Sequence, residues 1–526
     1  VVFPIFIKPI TLMKLFPTRP IVHGILLVAM ILVGNAQAEV RLPKLIADHM
    51  VLQRGIPLTV WGWADPGEQV TVSIANQIVK TSADPGGKWK VGLQPLESGG
   101  PLGMTISGKN RIEVSDILVG DVWVCCGQSN MEMPVGNLYR PKVYPGVTDF
   151  RAELARADHP RIRLFLPDHQ TSLAPKEDLP GTGWQVCTPE TVARFSAVGY
   201  FFARHLNSRM NVPVGMIQAA KSSTTAEAWT SPEGLRTLPS WARRLEKHAG
   251  AAAKPSPAPT DQQLPQESDN PTAPSTVEVP FGTPGGLFNG MIAPVTPFAI
   301  KGVIFYQGEN NAKDPKGYGT LFPALIRSWR QAWGQGDFPF LFVQLAAYGG
   351  KPKAPREDRG WAAQREAQTA GLKEPKTGMA VTIDIGSERL IHPPDKQEVG
   401  RRLGLLAQAI AYGQNVEASG PVFRSMAIEG GKVRLKFDNA AGGLVTRPFE
   451  QGKPKITVTK LTGFTVAGSD KVHHWADAEI VGDEVIVSSP VVPMPVSVRY
   501  AWAGNPDCNL FNKANLPATP FRAGEE

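Results

Sequence analysis

Scarcity narrows the possibilities first. The chain of 526 residues holds four cysteines, and two of them, Cys125 and Cys126, are adjacent. Adjacent cysteines rarely bridge. Cys187 and Cys508 can pair with each other or with one of the two, and the sequence does not choose. Four are too few for a disulfide-built fold of this length. No C-x-x-C and no clustered Cys/His spacing is present, so zinc is not expected. No Lys/Arg block carries interleaved aromatics. The net charge is +8, and it falls to +5 without the basic residues of the first 38 positions, so nucleic acid is not an expected partner. No G-x-S-x-G elbow and no long apolar lid occurs, which argues against a lipase or protease.

Long apolar runs are missing too, with one short exception. Ile21–Val33 reads IVHGILLVAMILV. Lys8, Lys14 and Arg19 precede it without an acid, and Ala36-Gln37-Ala38 follows. This is the pattern of a secretory signal cleaved after Ala38, with Met13 opening the segment MKLFPTRP. A membrane anchor is the rival reading, but the run is short for a span. Residues 1–38 are therefore expected to be a signal peptide. The mature chain is expected to be secreted or periplasmic and to lack a membrane span.

What is present is apolar residues at 42%, 52 glycines and 48 prolines, enough for sizeable cores joined by many turns. The length suits roughly three domains. Residues 39–118 carry short alternating runs (LTVWGWA, QVTVSIA, KWKVGL) separated by DPG, DPGG and SGG turns, and predict a small β-sandwich. Over 119–414 strand-like runs alternate with helical spacing. Val122–Cys126, VPVGMIQAA, KGVIFYQGE, FPFLFVQLA and MAVTIDIG predict strands. VARFSAVGYFFARHLNSRM, LFPALIRSWRQAW and KQEVGRRLGLLAQAIAY predict helices. That alternation predicts a parallel sheet covered on both faces. Residues 249–279 are rich in Pro, Ala and polar residues and predict a flexible insertion. Residues 415–526 return to short strands and predict a second β-module.

The stretch GQSNM at 127–131 raises the chemical question. Gly127 can take a positive φ and turn the chain sharply after a buried strand. Ser129 would then stand at the carboxyl end of that strand, where open α/β sheets collect ligands and nucleophiles. A serine nucleophile needs a base, an orienting group and oxyanion donors. Among the nine histidines, His392 follows a strand and a loop and is succeeded by Pro393-Pro394, which bar a helix from starting at the histidine. Gln307 and Asn311 follow the third strand, and Lys221-Ser222-Ser223-Thr224 follow the second. Side-chain amides and backbone N–H groups at those positions can serve an oxyanion.

GQSNMEM, IQAAKSSTTAEAWTS, LFNGMIAPVTPFAIKGVIFYQGENNA and IDIGSERLIHPPDKQEVGRRL together resemble the sialate O-acetylesterase family of SGNH (GDSL-like) hydrolases. The resemblance runs from LPKLIADHMVLQR to NLFNKANLPATPFR, nearly the whole mature chain. It implies a flavodoxin-like three-layer α/β/α domain with flanking all-β modules. It also implies hydrolysis of acetyl esters on a sugar or polysaccharide, without metal or cofactor. By position it makes Ser129 the nucleophile and His392 the base. Oxyanion donors would come from Ser129 N–H, Ser223, Gln307 and Asn311. The family's W-G-G-T block reads Lys221-Ser222-Ser223-Thr224 here, with serine at both glycines. The family's usual aspartate three residues before the histidine is Arg389. Asp384 is the favoured orienting acid, Glu388 the second, and a backbone carbonyl the third possibility. Glu309, Trp229, Tyr306 and Tyr139 are candidates to meet the sugar. Acetylated xylan or another hemicellulose is the alternative substrate, and a turnover-free carbohydrate-binding protein the alternative class.

Overall fold

The computed structural model describes residues 39–524 apart from 138, 253–278, 357, 441 and 452–454. The signal-like segment, and the insertion expected at 249–279 except for its edges, lie outside the described residues.

The N-terminal region supplies β1 (Val51–Gln53), β2 (Leu58–Trp63), β3 (Gln69–Ile74), β4 (Gln77–Ser82), β5 (Lys88–Leu93) and β6 (Gly99–Ser107). β2 and β5 alternate buried and open positions, as their period-2 sequences demand, and pair antiparallel. The next strand, β7 (Arg111–Gly127), is 17 residues long. Its first half pairs with β6 and β1. Its second half, from Asp121, enters a parallel sheet. The boundary expected at residue 118 thus falls inside one continuous strand. Asp121 secures the crossing point. Its buried carboxylate takes two hydrogen bonds from Arg54, at 3.0 and 2.9 Å, and one from the Tyr412 hydroxyl at 3.0 Å.

The parallel sheet continues with β8 (His159–Pro167), β9 (Gly181–Cys187), β10 (Val214–Ala220), β11 (Gly302–Tyr306), β12 (Phe340–Val343) and β13 (Thr377–Ala380). Its order is β13-β12-β11-β7-β10-β8-β9, and only β9 runs antiparallel to its neighbour. β7 is central and apolar throughout its second half because both of its faces are covered. Trp123 and Cys125 face one core with the helices Ala197–Met210 and Lys396–Ile410. Val122, Val124 and Cys126 face the other, with the helix Pro315–Trp333. Each fully buried valine of this kind contributes about 1.5–3 kcal/mol. All four cysteines are free thiols; Cys125, Cys126 and Cys187 are buried.

Phe195, Val198, Phe202 and Leu206, spaced along VARFSAVGYFFARHLNSRM to share one helix face, are all fully buried. Phe195 nevertheless precedes the helix, which starts at Ala197 because Ser196 caps it through a bond from Gly199 N–H. The C-terminal region forms two four-stranded antiparallel sheets. One joins Val422–Glu429, Lys432–Asp438, Glu484–Ser488 and Asp477–Val481. The other joins His473–Trp475, Phe464–Ala467, Ser497–Tyr500 and Phe521–Ala523. The architecture is α/β with flanking β-modules. No helix among the described residues is long and apolar enough to cross a membrane.

Candidate active site

The carboxyl ends of β7, β10, β11 and β13 deliver the residues singled out from sequence. Gly127 closes β7 at φ 145°, and a Cβ there would lie 2.0 Å from the Tyr306 carbonyl oxygen of β11. Only glycine fits that approach. The chain then turns into a one-turn helix, Ser129–Glu132. Met131 and Glu132 N–H both reach the Gln128 carbonyl, whereas Ser129 and Asn130 open the turn, where no intrahelical acceptor exists for their N–H groups. Ser129 is 7% exposed at this turn, on the face expected for a nucleophile.

His392 sits on the loop between β13 and the helix Lys396–Ile410. Its Nδ1 pairs with the Val143 carbonyl oxygen at 3.0 Å, and its ring meets the edge of Tyr144 at 5.2 Å. A carbonyl can only accept, so Nδ1 carries the proton and Nε2 is left as a free base. Burial holds the imidazole below its ordinary pKa, and the Val143 bond opposes that only in part.

The orienting acid expected at Asp384 is corrected by this geometry. Both Asp384 oxygens are taken by the buried Arg402, at 2.6 and 2.7 Å, and Arg447 stands 3.7 Å away. The carboxylate is therefore committed to a guanidinium and does not hold His392. The peptide carbonyl of Val143 takes that place.

Asn130 links the serine turn to the histidine loop. Its side-chain amide donates to the Ile391 carbonyl at 3.0 Å and to Glu309 Oε1 at 2.6 Å, and its oxygen accepts from Lys396 Nζ at 2.6 Å. Glu132, 3% exposed, braces the other side. One of its oxygens accepts from the Tyr144 hydroxyl and from Ser222 N–H, each at 2.7 Å. His169 Nε2 lies 3.6 Å from the other oxygen and 2.9 Å from the Ala220 carbonyl.

Other expectations need revision. Gln307 is buried, and its amide nitrogen is occupied by the Asn311 side-chain oxygen at 2.7 Å and the Thr224 carbonyl at 3.3 Å. Asn311 in turn accepts from Ala226 N–H and donates to Glu227. Gln307 has its amide nitrogen committed to this lock, and Asn311 turns its own toward Glu227, so that the two tie the 224–227 turn to the 307–311 turn. Trp229 is fully buried, with its indole N–H on Thr224 Oγ1 at 2.9 Å, and it cannot stack on a sugar. Tyr306 is also fully buried, with Lys396 Nζ 5.3 Å above its ring. Glu309 is turned toward Asn130 instead of outward. Ser223 behaves as glycine-to-serine replacement suggests: it is exposed and sits at φ 61°, a left-handed conformation that strains a side chain. Lys221 N–H bonds the Gly127 carbonyl at 3.0 Å, so this loop lies against the serine turn. Beside Tyr144, Arg140 lies over its ring at 5.9 Å, and Arg194 lies over the ring of Tyr139 at 6.0 Å.

Sequence reasoning did not single out Asn130, Glu132 or Lys396 for a role. The signal was present in the density of charged and amide residues within GQSNMEM and HPPDKQE, but which of them turn inward is set by tertiary packing.

The chain is similar to known proteins over most of its length. Residues 283–405 match the family described as carbohydrate esterase, sialic acid-specific acetylesterase. The chain is 31% identical to the sialate O-acetylesterase of Mus musculus, over 95% of this chain and 98% of that one. It is 30% identical to the one of Homo sapiens, with 92% of each covered. Among solved structures, a carbohydrate acetylesterase from Xanthomonas citri matches with a TM-score of 0.77 and 36% identity, covering 93% of this chain and all of that one.

Proposed function

The chain belongs to the sialate O-acetylesterase family, and from that premise we propose that it hydrolyses acetyl esters on sugars with Ser129 as nucleophile and His392 as base. The observation that carries the reading is the junction of the two loops. Asn130 binds the residue before His392 from the position after Ser129, and Val143 fixes the imidazole tautomer. Nε2 takes the Ser129 proton as Oγ attacks the acetyl carbonyl. The oxyanion is met by Ser129 N–H and, across the 221–224 loop, by Ser223 N–H. The carbon–oxygen bond to the sugar breaks, and the imidazolium returns its proton to the departing hydroxyl. Water then repeats the sequence on acetyl-Ser129, losing a proton to His392 and releasing acetate and free serine. No step calls for a metal or cofactor. The depressed pKa of His392 keeps the base neutral at neutral pH.

Arg140 bears on substrate choice. It places a fixed positive charge beside the Tyr144–His392 pair, which favours an acetylated sugar carrying a carboxylate, as a sialate does. Acetylated xylan lacks that group on its backbone. Acetate release from O-acetylated sialic acid, acetylated xylan and p-nitrophenyl acetate tests both levels. Ser129→Ala should abolish release from all three. Arg140→Ala should lower kcat/KM on the sialate alone. Preference for xylan, with Arg140→Ala neutral, would favour the hemicellulose reading. No release by the wild type would favour a carbohydrate-binding protein. The signal-like N-terminus supports export, which N-terminal sequencing of the mature protein checks: Glu39 should come first.

A further inference from the structure

Lys396 is the least expected residue near the site. It is fully buried, and it opens the helix Lys396–Ile410, where the helix dipole disfavours a cation. Its ammonium has one hydrogen-bond acceptor, Asn130 Oδ1, and one aromatic face, Tyr306. Burying a cation against an amide and a ring does not offset its desolvation. Packing alone would have been served better by a methionine. Groups that destabilise the fold in this way concentrate at functional sites.

We propose that Lys396 is a positioning residue for the esterase reaction: it anchors the Asn130 amide that clamps the His392 loop to the Ser129 turn, and it sets a charge beside that loop. This rests on the assignment of Ser129 and His392 above. The first part follows from valence. Lys396 Nζ donates to the Asn130 oxygen at 2.6 Å, charged or neutral, and so holds that end of the amide. The Asn130 nitrogen then faces Ile391 and Glu309, as observed. Without Lys396 the Ile391 and Glu309 acceptors still hold the nitrogen, but the buried Asn130 oxygen loses its donor and the clamp loses one of its two ends.

The second part follows from the charges around both groups. Lys396 is faced by Tyr306 and Glu309 from the β11 loop, Asn130 from the serine turn, and Asp395 beside it. Burial pulls its pKa down to about 7, while Glu309 and Asp395 resist. His392 is faced by Glu132, Arg140, Tyr144 and Lys396. Glu132 favours the imidazolium; Lys396 and Arg140 oppose it. On the acid side of neutrality, where His392 titrates, Lys396 is charged and opposes protonation of the base.

Two variants separate the parts. Lys396→Met removes both the donor and the charge. Lys396→Gln keeps an N–H donor for Asn130 and removes only the charge. With p-nitrophenyl acetate, Lys396→Met should lower kcat at pH 8 at least tenfold with KM within about twofold, because the clamp and not the binding surface is lost. Lys396→Gln should retain most of kcat at pH 8. In both, the acid limb of kcat/KM should move to higher pH, and the His392 ring resonance should titrate higher by NMR. The NMR titration needs only folded protein, so it decides the charge effect even where turnover is lost. Wild-type kcat in Lys396→Met would overturn the clamp, and an unmoved titration in both variants would overturn the charge effect. Ser129→Ala is run alongside. If it stays active, the nucleophile assignment fails; if it is inactive while the Lys396 variants behave as wild type, only the present inference fails.

Discussion

Two cations are buried on one helix, six positions apart, and they are treated in opposite ways. Arg402 is surrounded by acceptors: both Asp384 oxygens, Glu398 Oε1 at 2.8 Å and the Val381 carbonyl at 2.6 Å. Burial pulls its pKa down, but Asp384 and Glu398 outweigh burial and leave it raised. Lys396 has an amide and a ring, and burial wins. The difference teaches how to separate a structural buried charge from a working one. A structural cation is fully paired, and its removal strands its partners. A working cation is held short of pairing, so that its proton and its field stay available to neighbours.

The largest effect that tests this contrast is on Arg402. Arg402→Met leaves the Asp384 carboxylate buried beside its lost partner, and should cost about 3–5 kcal/mol in chemical denaturation. A smaller loss, about 1–3 kcal/mol, is expected for Asp384→Asn, which keeps the shape and removes the charge. If Asp384 serves the scaffold and not the base, the acid limb of kcat/KM stays in place in that variant. A moved limb would return Asp384 to the catalytic machinery. Glu398→Gln probes the weaker arm. Burial alone raises the Glu398 pKa, but Arg401 and Arg402 outweigh it and leave it below the ordinary 4.5. Its contribution is therefore present above pH 4.5 and is lost as pH falls through the lower folded value. The variant should be weaker than wild type by about 1 kcal/mol at pH 7 and converge with it in acid.

Lys396→Met should show the smallest loss, and even the opposite sign. The folded pKa near 7 lies below the ordinary 10.5, so between those values the unfolded chain binds more proton. The lysine's contribution to stability therefore rises with pH across that window and is most unfavourable below pH 7. Denaturation midpoints should place Lys396→Met close to wild type at pH 9.5 and above it at pH 6.5. A variant weaker than wild type at pH 6.5 would erase the contrast with Arg402.

Much of this site was legible in the sequence because strands and their ends are written in local patterns. Val122–Cys126 is apolar at every position because the sheet covers both of its faces, and Gly127 marks the turn that follows. His392 stood out by its prolines. The roles of side chains around them were less legible. Asp384 lies eight residues before the histidine and looks like its partner. Only the helix that brings Arg402 beneath it shows otherwise. Gln307 and Asn311 are amides at the right strand end, yet their donors point into a lock between two turns. The last two strands on that side of the sheet, β8 and the edge strand β9, escaped notice, since RIRLFLP interleaves arginines with apolar residues and its pairing with β9 is broken by irregular register. Asn130 and Lys396 meet across 266 residues of chain, a separation that no spacing rule reaches.

The length of β7 has a consequence for how such a chain can be taken apart. The N-terminal β-region and the serine turn are carried on one uninterrupted strand, so a cut at the apparent border near residue 118 would fray the very element that presents Ser129. Exchange of this region for another, whether by recombination or by design, has no clean seam there. The flanking module and the strand that carries Ser129 are inherited together, and a shortened esterase of this type would have to keep residues of the N-terminal β-region.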